Sequence, residues 1–281
     1  MNTEEKVSQV VELYNQDKLV EAYTQLRTLD ESVVQGHRVL QQIVEDYKET
    51  RELMQEFLDD KDWVTENAGS VQVSYKKVPG TPTVSLRCEG VVEVPIFNFI
   101  SLVYETELYP DWVPFCRSCK MVERVSRSKK IIFSEFDVVK VAKRAVCLVG
   151  YGYNLLNTDG LVMIVSKSVE SGNLSKYTMA KLNFFGCLIR PLTENSIQVK
   201  IISNFDPKIS FLPYSLLNWL VRKMAKTIFE KITEESKKFE NSEYPKRMLL
   251  PENLEFYEHL QRSRDEYLEK LRLAREVKNN I

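Results

Sequence analysis

The sequence predicts an α+β fold: a curved antiparallel sheet held around one long helix near the C-terminal end, with helical extensions before and after it. Three observations predict this. Apolar residues recur at three-to-four spacing over the first sixty positions. From residue 71 to 205 they alternate instead, with turn residues between the runs. From Pro213 onward the helical period returns. These two periods are those of a helix and a half-buried strand. The organisation that follows is a helical extension at 1–60, a body at 61–240 and a helical tail at 241–281.

Thr3 is placed to cap a first helix, with Glu4 and Glu5 in its first turn. Asn15-Gln16-Asp17 makes a turn, and a second helix carries Leu19, Ala22, Tyr23 and Leu26. A single long helix is expected over 31–58, on the spacing of Val33, His37, Leu40, Val44, Tyr47, Met54 and Leu58. Eight strand runs follow, at 71–75, 83–94, 121–126, 131–138, 145–156, 161–169, 177–189 and 197–205. Asn157-Thr158-Asp159-Gly160 joins two of them as a hairpin. A short helix is expected at 96–107, after Pro95.

The helix from Pro213 carries the clearest pattern. Leu217, Leu220, Val221, Met224, Ile228 and Ile232 share one side, and Arg222, Lys223, Lys226 and Glu230 share the other with Trp219. A last charged helix spans about 252–278.

The chain has 281 residues, 43% hydrophobic and 10% aromatic, enough for a sizeable core. Its net charge of −1 gives no global field for nucleic acid. Residues 1–60 are acidic, and a protein partner reached through them is one expectation. The acidic start lacks a signal peptide's apolar segment, and no apolar run approaches the ~20 residues of a spanning helix. Five cysteines, an odd number, read as reduced thiols. The expected location is cytoplasmic, with peripheral membrane association.

Several segments resemble the START lipid-transfer family and its helix-grip fold, over about 63–238. Trp63 opens the first strand, and Tyr109-Pro110-Asp111-Trp112-Val113-Pro114-Phe115 follows the inserted helix. Lys143-Arg144-Ala145-Val146 is similar to the start of the family's long central strand. Phe185-Gly186-Cys187-Leu188-Ile189-Arg190-Pro191-Leu192 resembles a later strand, and Asp206-Pro207-Lys208 with Pro213 leads into the lid helix. Ala145 stands where the family has an acid, and Gly150 falls where the basic partner of Glu135 would be.

The resemblance implies intracellular lipid binding and transfer, of a phospholipid held in an internal tunnel, with a transient membrane surface as second partner. Expected lining residues are Glu135, Tyr151, Tyr153, Asn183, Phe185 and Met224, with Glu135 and the two tyrosines as headgroup contacts. Strand parity groups such residues on a face and leaves open which face is inward. Lys140, Lys143, Arg144, Phe211, Leu212 and Trp219 are expected at the tunnel mouth or in contact with a membrane. The alternatives are a lipid-regulated interaction or scaffold module, and a cyclase- or hydrolase-like enzyme on the same fold, using Glu135 or Asp137.

No catalytic residue, metal site or cofactor is expected. The only histidines, His37 and His259, lie in the helical extensions. Cys116-Arg117-Ser118-Cys119 lacks a second ligand pair, and no phosphate-cradling glycine motif occurs. Arg117, Lys120, Arg124, Arg127, Lys129 and Lys130 cluster around a strand pair and are expected to form a solvated face.

Overall fold

A computed structural model of the chain describes residues 2–66, 71–81, 83–138, 142–170, 175–209 and 213–279. Four helices come first: α1 (Thr3–Asn15), α2 (Leu19–Leu26), α3 (Glu31–Gly36) and α4 (Arg38–Leu58). The cap of α1 is Asn2 rather than Thr3. Its Oδ1 accepts from the Glu5 N–H at 2.7 Å, and the Glu5 carboxylate accepts from the Asn2 N–H at 2.9 Å. The helix expected over 31–58 is two helices. His37, at φ −125° and ψ 109°, breaks it directly after Gly36, a poor helix former.

Ten strands are described: β1 (Val64–Glu66), β2 (Val71–Lys77), β3 (Val84–Val92), β4 (Cys116–Arg124), β5 (Lys129–Val138), β6 (Ala142–Leu155), β7 (Leu161–Ser168), β8 (Thr178–Met179), β9 (Lys181–Thr193) and β10 (Ser196–Asp206). β1 begins directly after Trp63, where the family resemblance placed the first strand, and the run at 177–189 divides into β8, which pairs with β6 in parallel, and β9. Otherwise the sheet is antiparallel, in the order β1-β2-β3-β10-β9-β7-β6-β5-β4. α5 (Ile96–Tyr104) and α6 (Tyr109–Trp112) lie between β3 and β4. α7 (Tyr214–Lys237), α8 (Tyr244–Met248) and α9 (Pro251–Asn279) follow β10.

The two faces of the sheet are covered differently. On the outer face, Val10, Ala22, Leu40 and Ile43 of the first helices pack against Val149, Tyr151, Tyr153 and Met163. Phe57 of α4 lies so close to Gly186 that a Cβ there would stand 2.8 Å from the ring, so the strand needs glycine for that approach. On the inner face, Phe99 and Ile100 of α5, Phe229 and Ile232 of α7 and Leu260 of α9 form one cluster with Ile189, Ile197 and Val199. The inner face is where the structure leaves space.

Candidate functional site

Two cavities, of about 280 and 310 Å³, lie between the inner face and the helices. They share Val113, Leu148, Leu182, Phe185, Ile201 and Ile228 as walls, so they adjoin at one waist, and together they are the two chambers of a candidate tunnel. The apolar stripe of α7 forms one side: Leu217, Leu220, Val221 and Met224 line the second chamber, and Ile232 the first. At roughly 30 Å³ per water-sized group, the tunnel holds one chain of about sixteen to twenty carbons.

Strand parity sets the lining. Lys130, Ile132 and Phe136 of β5 face inward, as do Arg144, Val146, Leu148 and Asn154 of β6. Gly150 and Gly152 fall on the same inward side, where a side chain would occupy the first chamber. The intervening residues face out, which corrects several expectations. Tyr151 and Tyr153 touch the cavity along their strand, but their rings pack 5.4 Å apart under the N-terminal helices. Their hydroxyls are buried without a hydrogen-bond partner, and burial with Glu49 and Asp46 nearby raises both phenols well above their usual range. Glu135 also lies on the outer side of β5, accepting from the Ser118 hydroxyl at 3.3 Å. It is not a headgroup contact within the tunnel.

Asn183 and Phe185 were expected to share a face. The register between β9 and β10 shifts there, with Asn204 opposite Phe184 and Phe205 opposite Leu182. Asn183 is the extra residue of a bulge, and a bulge reverses parity beyond it. Phe185 thus lines the waist, while Asn183 is exposed and donates to Asn204 Oδ1 at 2.5 Å.

Of the mouth residues, Lys140, Phe211 and Leu212 lie outside the described residues. Lys143 is exposed, its ammonium 5.5 Å from the Tyr177 ring. Trp219 is 47% exposed beside Tyr214 and Leu216, with Lys223 over its ring at 6.0 Å. Arg144 is a staple instead of a free cation. It is buried against the second chamber and donates to the carbonyls of Pro207 (2.6 Å), Lys208 (2.8 Å) and Lys143 (2.8 Å). It thereby ties β6 to the turn that precedes α7, where Lys208 sits at φ +54°. Arg144→Ala is expected to destabilise the fold by about 2–4 kcal/mol, since hydrogen bonds from a charged donor contribute about 1.5–3 kcal/mol each and partly compensate when lost together. Urea denaturation with an unchanged m-value is the check.

The first chamber has a polar pole that the sequence did not announce. α9 returns over the tunnel and contributes Phe256, His259 and Leu260 to its wall. His259 Nε2 is 3.2 Å from Asn154 Nδ2 and 4.0 Å from Asp17 Oδ2, and burial lowers its pKa. It is therefore part of the body, not outside it. The basic cluster expected on a solvated face is divided: Arg117 and Lys120 are exposed, Arg124, Arg127 and Lys129 are half-buried, and Lys130 is buried. Arg127 pairs with Asp17 at 2.7 Å and Glu255 at 2.6 Å, and Arg124 donates to Tyr104, Glu252 and Asn253. Lys130, only 9% exposed, points into the chamber. Its ammonium donates to the Tyr104 carbonyl at 3.2 Å and lies 3.1 Å from the Tyr104 ring centroid. Glu105, buried at the base of α5, pins α8 and α9 through Arg247, Asn253 and Tyr257. Nothing in strand alternation distinguishes Lys130 from Lys129, whose ammonium lies on the outer face over Tyr151. The inward register of β5 is the signal that separates them.

A long, almost wholly apolar tunnel with polar groups only at its ends can hold a hydrocarbon chain and orient its head. Glu135 and Asp137, which an enzyme would use, lie on the outer side of β5, where Asp137 pairs with Arg117 at 3.4 Å.

Comparison with known proteins supports this geometry. The family model described as the START domain matches residues 44–242. No curated protein matches the sequence. Among solved structures, human STARD10 is similar with a TM-score of 0.62 at 18% identity, covering 72% of this chain and 82% of that one. Human StAR-related lipid transfer protein 5 is similar with a TM-score of 0.61 at 15% identity, covering 68% and 94%. The lipid transfer and protein localization domain of human StarD13 has a TM-score of 0.56 at 19% identity, covering 71% and 96%. At such identities the likeness to these three is one of fold.

Proposed function

This chain belongs to the START domain family, and from that premise we propose that it carries a phospholipid between membranes with an acyl chain in the tunnel. The observation that supports the reading is the pair of apolar chambers that adjoin at one waist beneath α7. Burying a methylene contributes about 0.8 kcal/mol, so a sixteen-carbon chain brings on the order of 12 kcal/mol of drive into such a space. The volume suits a phospholipid with one acyl chain. A second chain requires α7 to move away from the sheet.

No helix among the described residues is long and apolar enough to cross a membrane. Membrane contact is proposed for the first turns of α7, where Tyr214, Leu216 and Trp219 are exposed together beside Lys223. Cytoplasmic residence with peripheral association suits this mode of action. The apolar sides of α1, α2 and α4 are occupied by one another and by the sheet, and α3 packs on α4, so a protein partner of that segment would meet its acidic outer side.

Two measurements test the reading. Native mass spectrometry of gently purified chain should show a retained lipid, and the protein should move labelled lysophospholipid between vesicles. A chain that neither retains nor transfers lipid overturns it. For the membrane surface, the double substitution Tyr214→Ser and Trp219→Ser is expected to weaken vesicle co-sedimentation at least tenfold. Lipid retention in solution should be preserved in that variant.

A further inference from the structure

We propose that Lys130 holds the anionic end of a single-chain lipid, a carboxylate or a phosphate monoester, at the pole of the tunnel beneath α9. The inference rests on the tunnel reading and deepens it by naming the headgroup chemistry.

A cation taken out of water is unfavourable unless a counter-charge accompanies it. Lys130 is nine-tenths buried and lines the first chamber. Among the described residues, no carboxylate lies within 4 Å of its Nζ; its contacts are the carbonyl and ring of Tyr104. The acids around it are committed elsewhere. Glu105 is held by Arg247, Asn253 and Tyr257, and Glu107 by Arg247 at 2.8 Å. Asp17, from the turn between α1 and α2, is taken by Arg127. Arg124 on the neighbouring strand β4 has no carboxylate either, as its donors go to a hydroxyl, a carbonyl and an amide oxygen. His259 faces the same chamber from α9. Among the described residues the pole thus holds four cations, Lys130, Arg124, Arg127 and Arg247, against four carboxylates, Asp17, Glu105, Glu107 and Glu255, and none of those carboxylates contacts the Lys130 ammonium.

An ammonium keeps three donors, of which the Tyr104 carbonyl uses one. The Tyr104 ring, 3.1 Å from the ammonium, faces a second, which leaves one for a carboxylate or phosphate oxygen entering from the chamber. Lys130 and Phe136 are six residues apart on β5, about 20 Å at the rise of a strand. A chain anchored at Lys130 thus runs through the waist towards Arg144. Burial drives the ammonium's pKa down to about 8, opposed by Glu105 and Glu107 and reinforced by Arg124 and Arg247. Lys130 is then still protonated at neutral pH and able to pair.

The test uses the delipidated full chain with three sixteen-carbon probes: palmitate, palmitoyl lysophosphatidate and hexadecanol. At pH 7 at least one of the two acids should bind ten- to a hundredfold tighter than the neutral alcohol. Whichever acid gains more identifies the headgroup as carboxylate or phosphate. Lys130→Met should remove that gain and leave hexadecanol within about twofold of the native chain. In the native chain the gain should fall about tenfold between pH 7 and pH 9.5 with hexadecanol unchanged, an arm that does not depend on the variant folding. Equal binding of all three probes, or a gain that survives Lys130→Met, overturns the proposal and leaves the tunnel standing. Binding of no probe overturns both.

Discussion

Ile228→Trp is expected to abolish retention of sixteen-carbon lipids while the protein stays folded. Ile228 projects from α7 into the waist, where it faces Leu148, Leu182, Phe185 and Ile201 and borders both chambers. An indole at that point closes the passage and leaves two separate spaces. A long chain then buries only about half its length. Losing roughly eight methylenes at about 0.8 kcal/mol each removes about 6 kcal/mol of binding. Occupancy of a sixteen-carbon lipid in native mass spectra should fall more than a hundredfold. An eight-carbon homologue, which fits one chamber, should lose less than tenfold. Because the ring grows into existing space, unfolding free energy should change by less than about 2 kcal/mol. Undiminished sixteen-carbon occupancy would show that the chain does not cross the waist.

Lys130→Met is expected to stabilise the empty protein by about 2–3 kcal/mol at pH 7. The native lysine is held at about 8 in the fold against 10.5 for the free side chain, chiefly by desolvation. A shift of one unit corresponds to about 1.4 kcal/mol, and the close Tyr104 ring offsets part of the total. The sign follows from linkage. Between about 8 and 10.5 the unfolded chain binds the proton and the folded chain does not, so the native protein gains stability through that window as pH rises. The penalty from Lys130 is fully present below about 8 and gone above about 10.5. Buried thiols remote from Lys130, such as Cys88, raised to about 12, work in the opposite direction at alkaline pH. They are common to both proteins, so they cancel in the difference. The stability of Lys130→Met minus that of the native chain should therefore shrink from its full value at pH 7 towards zero near pH 10.5. Chemical denaturation of lipid-free protein at a series of pH values measures it. A difference that is flat with pH would mean that Lys130 is solvated.

Local pattern carried much of this molecule. The change from helical to alternating period placed the strand body, and the stripe from Leu217 to Ile232 correctly marked the side of α7 that meets the tunnel. The order of elements was enough to bring out the family resemblance. These features depend on spacing along the chain, which neighbouring residues set by themselves.

The site needed more. Alternation groups Tyr151 with Tyr153 and Lys130 with Ile132, but a strand reads the same from either side. Contact with α1, α2 and α4 made the tyrosine face the outer one, so Glu135 faces outward as well. One extra residue at Asn183 reversed the parity beyond it, which appears only once β9 is aligned against β10. His259 and Asn154 lie 105 positions apart and meet because Glu105 fixes the course of α9. Composition, period and the long lid-like helix were thus properties of the amino-acid sequence alone. The inward face, the stapling of Arg144 and the unpaired charge of Lys130 were decided by tertiary packing. Burial and pairing are relations between segments distant in the chain, and no local spacing encodes them.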